Sequence, residues 1–151
     1  MAKLEKVEFI IIHHSLTEDS ITVNWKAICE YHTKELGYDP PCGYHYGLER
    51  IYDSWAILTG RNEDSVGAHT KQQRMNYRSL GICVVGNYDE EYLPDEGFVL
   101  LAGLCTGLCH KYNLSADRIV PHNKYANYKT CPGRLFPMNE LRQEVAHRLR
   151  R

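Results

Sequence analysis

Phe9 to Ile12 form an unbroken apolar run, three of its four residues β-branched, with alternating charges before it and polar residues after it. Such a run reads as a strand buried on both faces and ending near His13. Ser20 to Asn24 then supply capping residues, and Trp25, Ile28, His32 and Leu36 recur at helical spacing up to a stop at Gly37. DPPCG at 39–43 is a turn that releases a period-two segment, Tyr44, Tyr46 and Leu48, read as a second strand. Residues 50–60 are ambiguous: Ile51-Tyr52 finishes a hairpin, and Trp55 to Leu58 is a short strand or a turn. The polar RNEDSV between Gly60 and Gly67 is a loop, and LGICVV at 80–85 is another buried strand, stopped by Gly86-Asn87. Pro94 suits the first turn of a helix, with Asp95 and Glu96 at its positive end. Phe98, Leu101, Leu104, Cys105 and Leu108 make that helix's apolar stripe, to about His110. Ile119-Val120 is a short strand, and Met138 to about Leu149 closes the chain as a helix with Leu141, Val145 and Leu149 inward.

The order strand, helix, strands, helix, short strand, helix is met most economically by an α/β fold, a mixed central β-sheet flanked by about three α-helices. The short connections between some strands leave room for antiparallel neighbours. At 151 residues without a Gly/Ser or Pro-rich divider, residues 1–151 form one domain, which buries roughly two-thirds of its unfolded surface.

Charge narrows the partners. Lys and Arg total 18 against 19 Asp and Glu, a net charge of -1, which argues against nucleic acid. The five Arg and two Glu from Arg134 onward read as a solvated helix face. No apolar stretch reaches the ~20 residues that span a bilayer. MAKLEKVEFIIIHHS has no small-residue cleavage site, so the expectation is synthesis in the cytoplasm without a signal peptide. On that expectation the six cysteines, at 29, 42, 83, 105, 109 and 131, are free thiols, with Cys105 and Cys109 as small buried hydrophobes.

His13 ends the first strand, His122 ends the last, and Cys131 follows nine residues later in a loop-like run. Imidazole nitrogen and thiolate are ligands for a borderline-soft metal, and two neutral histidines with one thiolate would leave a Zn²⁺ ion a fourth, open position. Spacing alone leaves a second reading open, of packed histidines and an unconnected turn thiol.

Five fragments in order, IIHHS (11–15), CGYHYGLE (42–49), VGAH (66–69), SLGICVVGNY (79–88) and PHN…KTCPG (121–133), resemble the zinc-dependent N-acetylmuramoyl-L-alanine amidases of type 2. That family includes phage lysozyme-like amidases and the peptidoglycan recognition proteins. The resemblance spans nearly the whole chain and implies a monomeric zinc hydrolase acting on cell-wall peptidoglycan, reached through lysis or by another export route. It implies His13, His122 and Cys131 as metal ligands, Tyr44 and Lys129 as catalytic residues, and His69 as a residue lining the substrate groove. Zinc would polarise the amide carbonyl and bring a water pKa from 15.7 to near ~7, while Lys129 and Tyr44 would assist with charge and a hydroxyl. By strand alternation His14 points away from His13, and His45 away from Tyr44 and Tyr46, the latter buried with one hydrogen bond.

Two departures bear on the groove. The run after His122 reads NKYANYKT, with Tyr125 and Tyr128, and the strand after GYH lacks Asp-Gly while keeping Gly60-Arg61. Trp55, in the altered part, is expected to reshape one groove wall. Two other functions compete: a non-catalytic muropeptide-binding module, against which the ligand cysteine speaks, and a structural zinc site closed by His14 or Asp53.

Overall fold

The computed structural model describes residues 1–17, 19 and 24–151. The strands and α-helices of the described residues are β1 (Phe9–His14), α1 (Trp25–Lys34), β2 (Tyr46–Ile51), β3 (Ser54–Thr59), β4 (Ser79–Val84), α2 (Asp95–Tyr112), β5 (Ile119–Pro121) and α3 (Met138–Leu149). The sheet order is β3-β2-β4-β1-β5. β1 pairs in parallel with β4 on one side and β5 on the other, and β2 joins β4 in parallel. Among the named strands β2 and β3 form the antiparallel pair, with Ile51 opposite Ser54 across a two-residue turn. Tyr52 takes a positive φ of 56° in that turn, as tight hairpins require. The ambiguous stretch is therefore a full hairpin, and the expected mixed sheet with three flanking helices is the observed architecture.

The apolar run of β1 is divided by the period of two. Ile10 and Ile12 join Leu80, Ile82, Val84 and Leu48 in the main core beneath α2 and α3. Ile11 faces the other way, with Met75 and Val120. Both faces are thus covered, which is why neither β1 nor β4 shows polar alternation. Cys105 and Cys109 lie inside the main core as expected of small hydrophobes.

Asn24 caps α1 by accepting from the Ala27 amide at 2.9 Å; the other capping residues expected, Ser20 to Val23, lie outside the described residues. α1 ends at Lys34, so Leu36 falls beyond it and is 44 % exposed rather than in the stripe. Trp25 lies flat on β2 at Gly47, where a Cβ would come within 2.5 Å of the indole. α2 begins one residue after Pro94, which is the cap, and runs to Tyr112, where left-handed Asn113 stops it.

The expectation of six free thiols is overturned. Cys29 and Cys42 form a disulfide, their Cα atoms 4.5 Å apart. The 39–43 turn reverses the chain onto α1, bringing together two thiols 13 residues apart; Cys83, Cys105, Cys109 and Cys131 remain free.

Arg61 ties the loops of this face together. Its guanidinium donates to three backbone carbonyls, of Cys42 (2.6 Å), Val66 (2.7 Å) and Asp39 (3.1 Å), and the residue is 7 % exposed. Buried carbonyls without donors cost about 1–3 kcal/mol each. Arg61→Met should therefore lower unfolding stability by roughly 2–4 kcal/mol in urea denaturation; an unchanged midpoint would mean that water replaces the guanidinium at no cost.

Candidate metal centre

β1 delivers His13 near its C-terminal end, opposite Cys83 of β4. β5 ends at Pro121, so His122 emerges beside it in a short 3₁₀ turn, His122–Lys124. The loop from there returns through Cys131, closed by the Asn123 amide donating to the Cys131 carbonyl at 2.9 Å. Gly133 then packs on the Tyr88 backbone with φ +123°, where a Cβ would fall 2.5 Å from the Tyr88 oxygen. Asp89 pins the same loop by accepting from the Thr130 hydroxyl (2.7 Å) and the Arg134 amide (2.9 Å).

The donor atoms of His13, His122 and Cys131 all lie within 4.8 Å of one another. His13 Nδ1 is 3.8 Å from Cys131 Sγ, and the two imidazole centroids are 4.4 Å apart. Burial holds His13 well below the usual histidine range, reinforced by His69 and His122. Burial and then the Lys129 charge bring His122 down to about 4. The Cys131 thiol is pushed up to about 12 by burial, against the His14 amide and Lys129, which favour its thiolate. Two unprotonated nitrogens and one thiol, desolvated and converging, are a donor set that suits zinc, since a cation supplies the charge compensation the thiolate lacks.

Among the described residues no fourth side chain completes this set. His14 turns away as expected: its Nδ1 accepts from the Tyr88 amide at 3.1 Å, while its own backbone N–H points at Cys131 Sγ, 3.4 Å away. Asp53 sits in the exposed β2–β3 turn. A cavity of about 620 Å³ opens on the three donors, lined also by Tyr44, His69, Lys129, Tyr38 and Asp89. A second hollow of about 420 Å³ adjoins it, sharing His69, His122 and Lys129 and adding Lys71, Gln72 and Asn76.

Tyr44 precedes β2, its carbonyl accepting from the Arg61 amide at 2.9 Å. Its ring lies 5.1 Å from that of His13. Burial raises its hydroxyl well above the ordinary tyrosine range, with Cys83 and Cys131 adding to the effect, so it stays protonated. Lys129 is exposed at the rim. His69 is half-buried between the two hollows, its Nδ1 3.0 Å from His13 Nε2. The expected six site residues therefore share one cavity.

Other expectations shift. His45 has two hydrogen bonds rather than one: Nε2–H donates to the Ser65 carbonyl (2.7 Å) and Nδ1 accepts from the Gly81 amide (3.0 Å). Trp55 packs on α2 near Gly97 and does not line the donor cavity, because β3 is the far edge strand and its inner side meets that helix. His32, read only as part of a helix face, reaches the cavity and accepts from the Gly43 amide at 3.0 Å. Thr70, Asn76 and Asp89 had no signal beyond lying beside recognisable fragments, since their roles come from contacts between distant loops.

Residues 3–134 match the N-acetylmuramoyl-L-alanine amidase family. The chain is 31% identical to the endolysin of Escherichia phage T7 in an alignment 146 positions long that covers 91% of this chain and 90% of that protein. It is 25% identical to peptidoglycan-recognition protein SC2 of Drosophila simulans, over 90% of this chain and 73% of that one. Among solved structures, the endolysin N-acetylmuramoyl-L-alanine amidase LysCS of Clostridium intestinale superposes with a TM-score of 0.79 at 28% identity, covering 93% of this chain and 84% of that one. Family match, fold and donor cluster agree, and the chain belongs to the N-acetylmuramoyl-L-alanine amidase family.

Proposed function

We propose that this protein is a zinc-dependent hydrolase that cleaves the amide between N-acetylmuramic acid and L-alanine in peptidoglycan. The observation that carries this reading is the convergence of His13, His122 and Cys131 on one side of an open cavity, with Tyr44 and Lys129 on its walls. Bound by the three donors, zinc would polarise the scissile carbonyl and lower the pKa of a water towards ~7. The chain's own residues do the rest. Tyr44, held protonated, donates a hydrogen bond to the oxygen that gains charge as the amide is attacked. Lys129 adds a fixed positive charge at the rim of the same space. The Asp89 contacts and Gly133 hold the loop that carries Lys129 and Cys131 against the strand ends.

The wall is reached after lysis or by a separate export route, a reading supported by similarity to phage endolysins; no helix among the described residues is long and apolar enough to cross a membrane. A muropeptide-binding role without cleavage has support in the similarity to peptidoglycan-recognition proteins, but the thiol at 131 facing two histidines favours hydrolysis.

Digestion of purified sacculi followed by mass spectrometry should reveal free L-alanine amino termini on the peptide stems and intact glycan strands. Opening of a glycosidic or peptide bond instead would overturn the assignment. Cys131→Ala should lose both zinc and turnover. Lys129→Ala should keep its zinc and lose about a hundredfold or more in turnover, roughly 3 kcal/mol; metal content measured beside activity separates the two. A fully active, zinc-free Cys131→Ala protein is the result that sinks the mechanism.

The depressed histidines also set an acid limit on the metal-free chain. In the fold His13, His69 and His122 bind a proton only below the unfolded value near ~6.5, so the unfolded chain takes up protons first as pH falls. Their contribution is complete above that value and declines as pH drops through it towards about 4, where His122 titrates in the fold. Each such histidine steepens the loss by up to about 1.4 kcal/mol per pH unit. Melting of chelator-treated protein at pH 7, 6 and 5 should record falling midpoints; a flat series would mean the imidazoles are solvated.

A further inference from the structure

A neutral imidazole has one bare nitrogen and one N–H, and committing the bare nitrogen to a cation puts the proton on the other. In His13 the two nitrogens face different neighbours. Nδ1 lies 3.8 Å from Cys131 Sγ, on the side of the donor cluster. Nε2 points away from it, 3.0 Å from His69 Nδ1 and 3.4 Å from Thr70 Oγ1. Thr70 Oγ1 is also 3.0 Å from His69 Nδ1, so the three atoms form a closed triangle. Either His13 Nε2–H donates straight to His69 Nδ1, or it donates to the Thr70 hydroxyl, which donates on to His69. Both arrangements leave His69 Nδ1 as the terminal acceptor and the proton on His13 Nε2. The reverse, with a proton on His69 Nδ1 donated to His13, would protonate Nδ1 of neutral His13 and remove it as a ligand.

The surroundings of His69 hold its ring in place against His13 and Thr70. Asn76 Oδ1 accepts from the His69 amide (2.9 Å) and the Thr70 amide (2.7 Å), which fixes the backbone of both partners. The ring lies in a slot cut by two glycines: a Cβ at Gly81 would fall 2.5 Å from it, and one at Gly67 2.6 Å. Behind it, His45 packs with centroids 5.8 Å apart, its own proton committed to the Ser65 carbonyl. The far nitrogen, His69 Nε2, is buried and has no hydrogen-bond partner among the described residues, so the contacts of the ring are those of its Nδ1.

We propose that His69 is a positioning residue for the metal centre, accepting the Nε2 proton of His13 directly or through Thr70 and so keeping the Nδ1 lone pair of His13 aimed at the cation. This inference rests on the zinc site proposed above. It assigns His69 to the ligand rather than to the substrate, and partners of this kind typically account for 10–100-fold in metal affinity.

The test needs no substrate. Zinc affinity of the full chain, measured by competition with a chromophoric chelator, should fall 10–100-fold in His69→Leu. It should return to within a few-fold of the parent in His69→Asn, whose side-chain oxygen replaces the accepting nitrogen. Parent-like affinity in His69→Leu overturns the inference, and a raised KM with unchanged zinc affinity overturns it in favour of a groove contact. Should the leucine variant fail to fold, nitrogen-15 spectra of the zinc-loaded parent decide: a proton on His13 Nε2 and a bare His69 Nδ1 are expected, and a proton on His69 Nδ1 refutes it. A parent protein that binds no zinc sinks the metal reading and this inference together, whereas zinc binding indifferent to His69→Leu sinks this inference alone.

Discussion

Parallel pairing of β1 with β4 on one side and β5 on the other is the constraint on which the site depends. A central strand covered on both faces has no freedom to slip, because a shift of one residue would turn Ile10 and Ile12 out of the main core and His14 into the place of His13. With that register set, His13 meets the end of β5 and the loop beyond it. A histidine and a cysteine separated by 118 positions are then 3.8 Å apart.

The same enclosure that builds the cluster makes it electrically poor. Burial opposes charge on His13, His122 and Cys131 alike, so in the metal-free chain the histidines stay neutral and the thiol stays protonated. Lys129 and the His14 amide partly reverse this for the sulfur. The donor atoms are thus nitrogen and sulfur rather than oxygen, the kind that borderline-soft metals favour, and burial likewise keeps the proton on Tyr44.

Around the donors, loops rather than strands form most of the cavity, and loops carry backbone groups that need partners. Arg61 answers three carbonyls, Asn76 two amides and Asp89 a hydroxyl and an amide. Each is a polar side chain spent on main chain, and together they give the loops the rigidity that a ligand set requires. The Cys29–Cys42 disulfide adds a covalent tie between α1 and the segment leading to Tyr44.

Most element types and their order were legible in the sequence, because period and turn chemistry are local properties; spacing left the donor set open, and it was the resemblance that pointed to His13, His122 and Cys131. FIII declared a doubly covered strand, and HH at its end implied two side chains on opposite faces, as His13 and His14 prove to be. Tertiary structure alone decided the rest. It settled 54–59 as a paired edge strand, moved Trp55 from the groove to α2, and joined two cysteines that composition favoured leaving free. It also decided which nitrogen of His13 faces the donors and which faces His69. Such outcomes hinge on contacts between segments dozens of residues apart, where an ångström or a ring rotation changes the chemistry, and no local pattern encodes that distance.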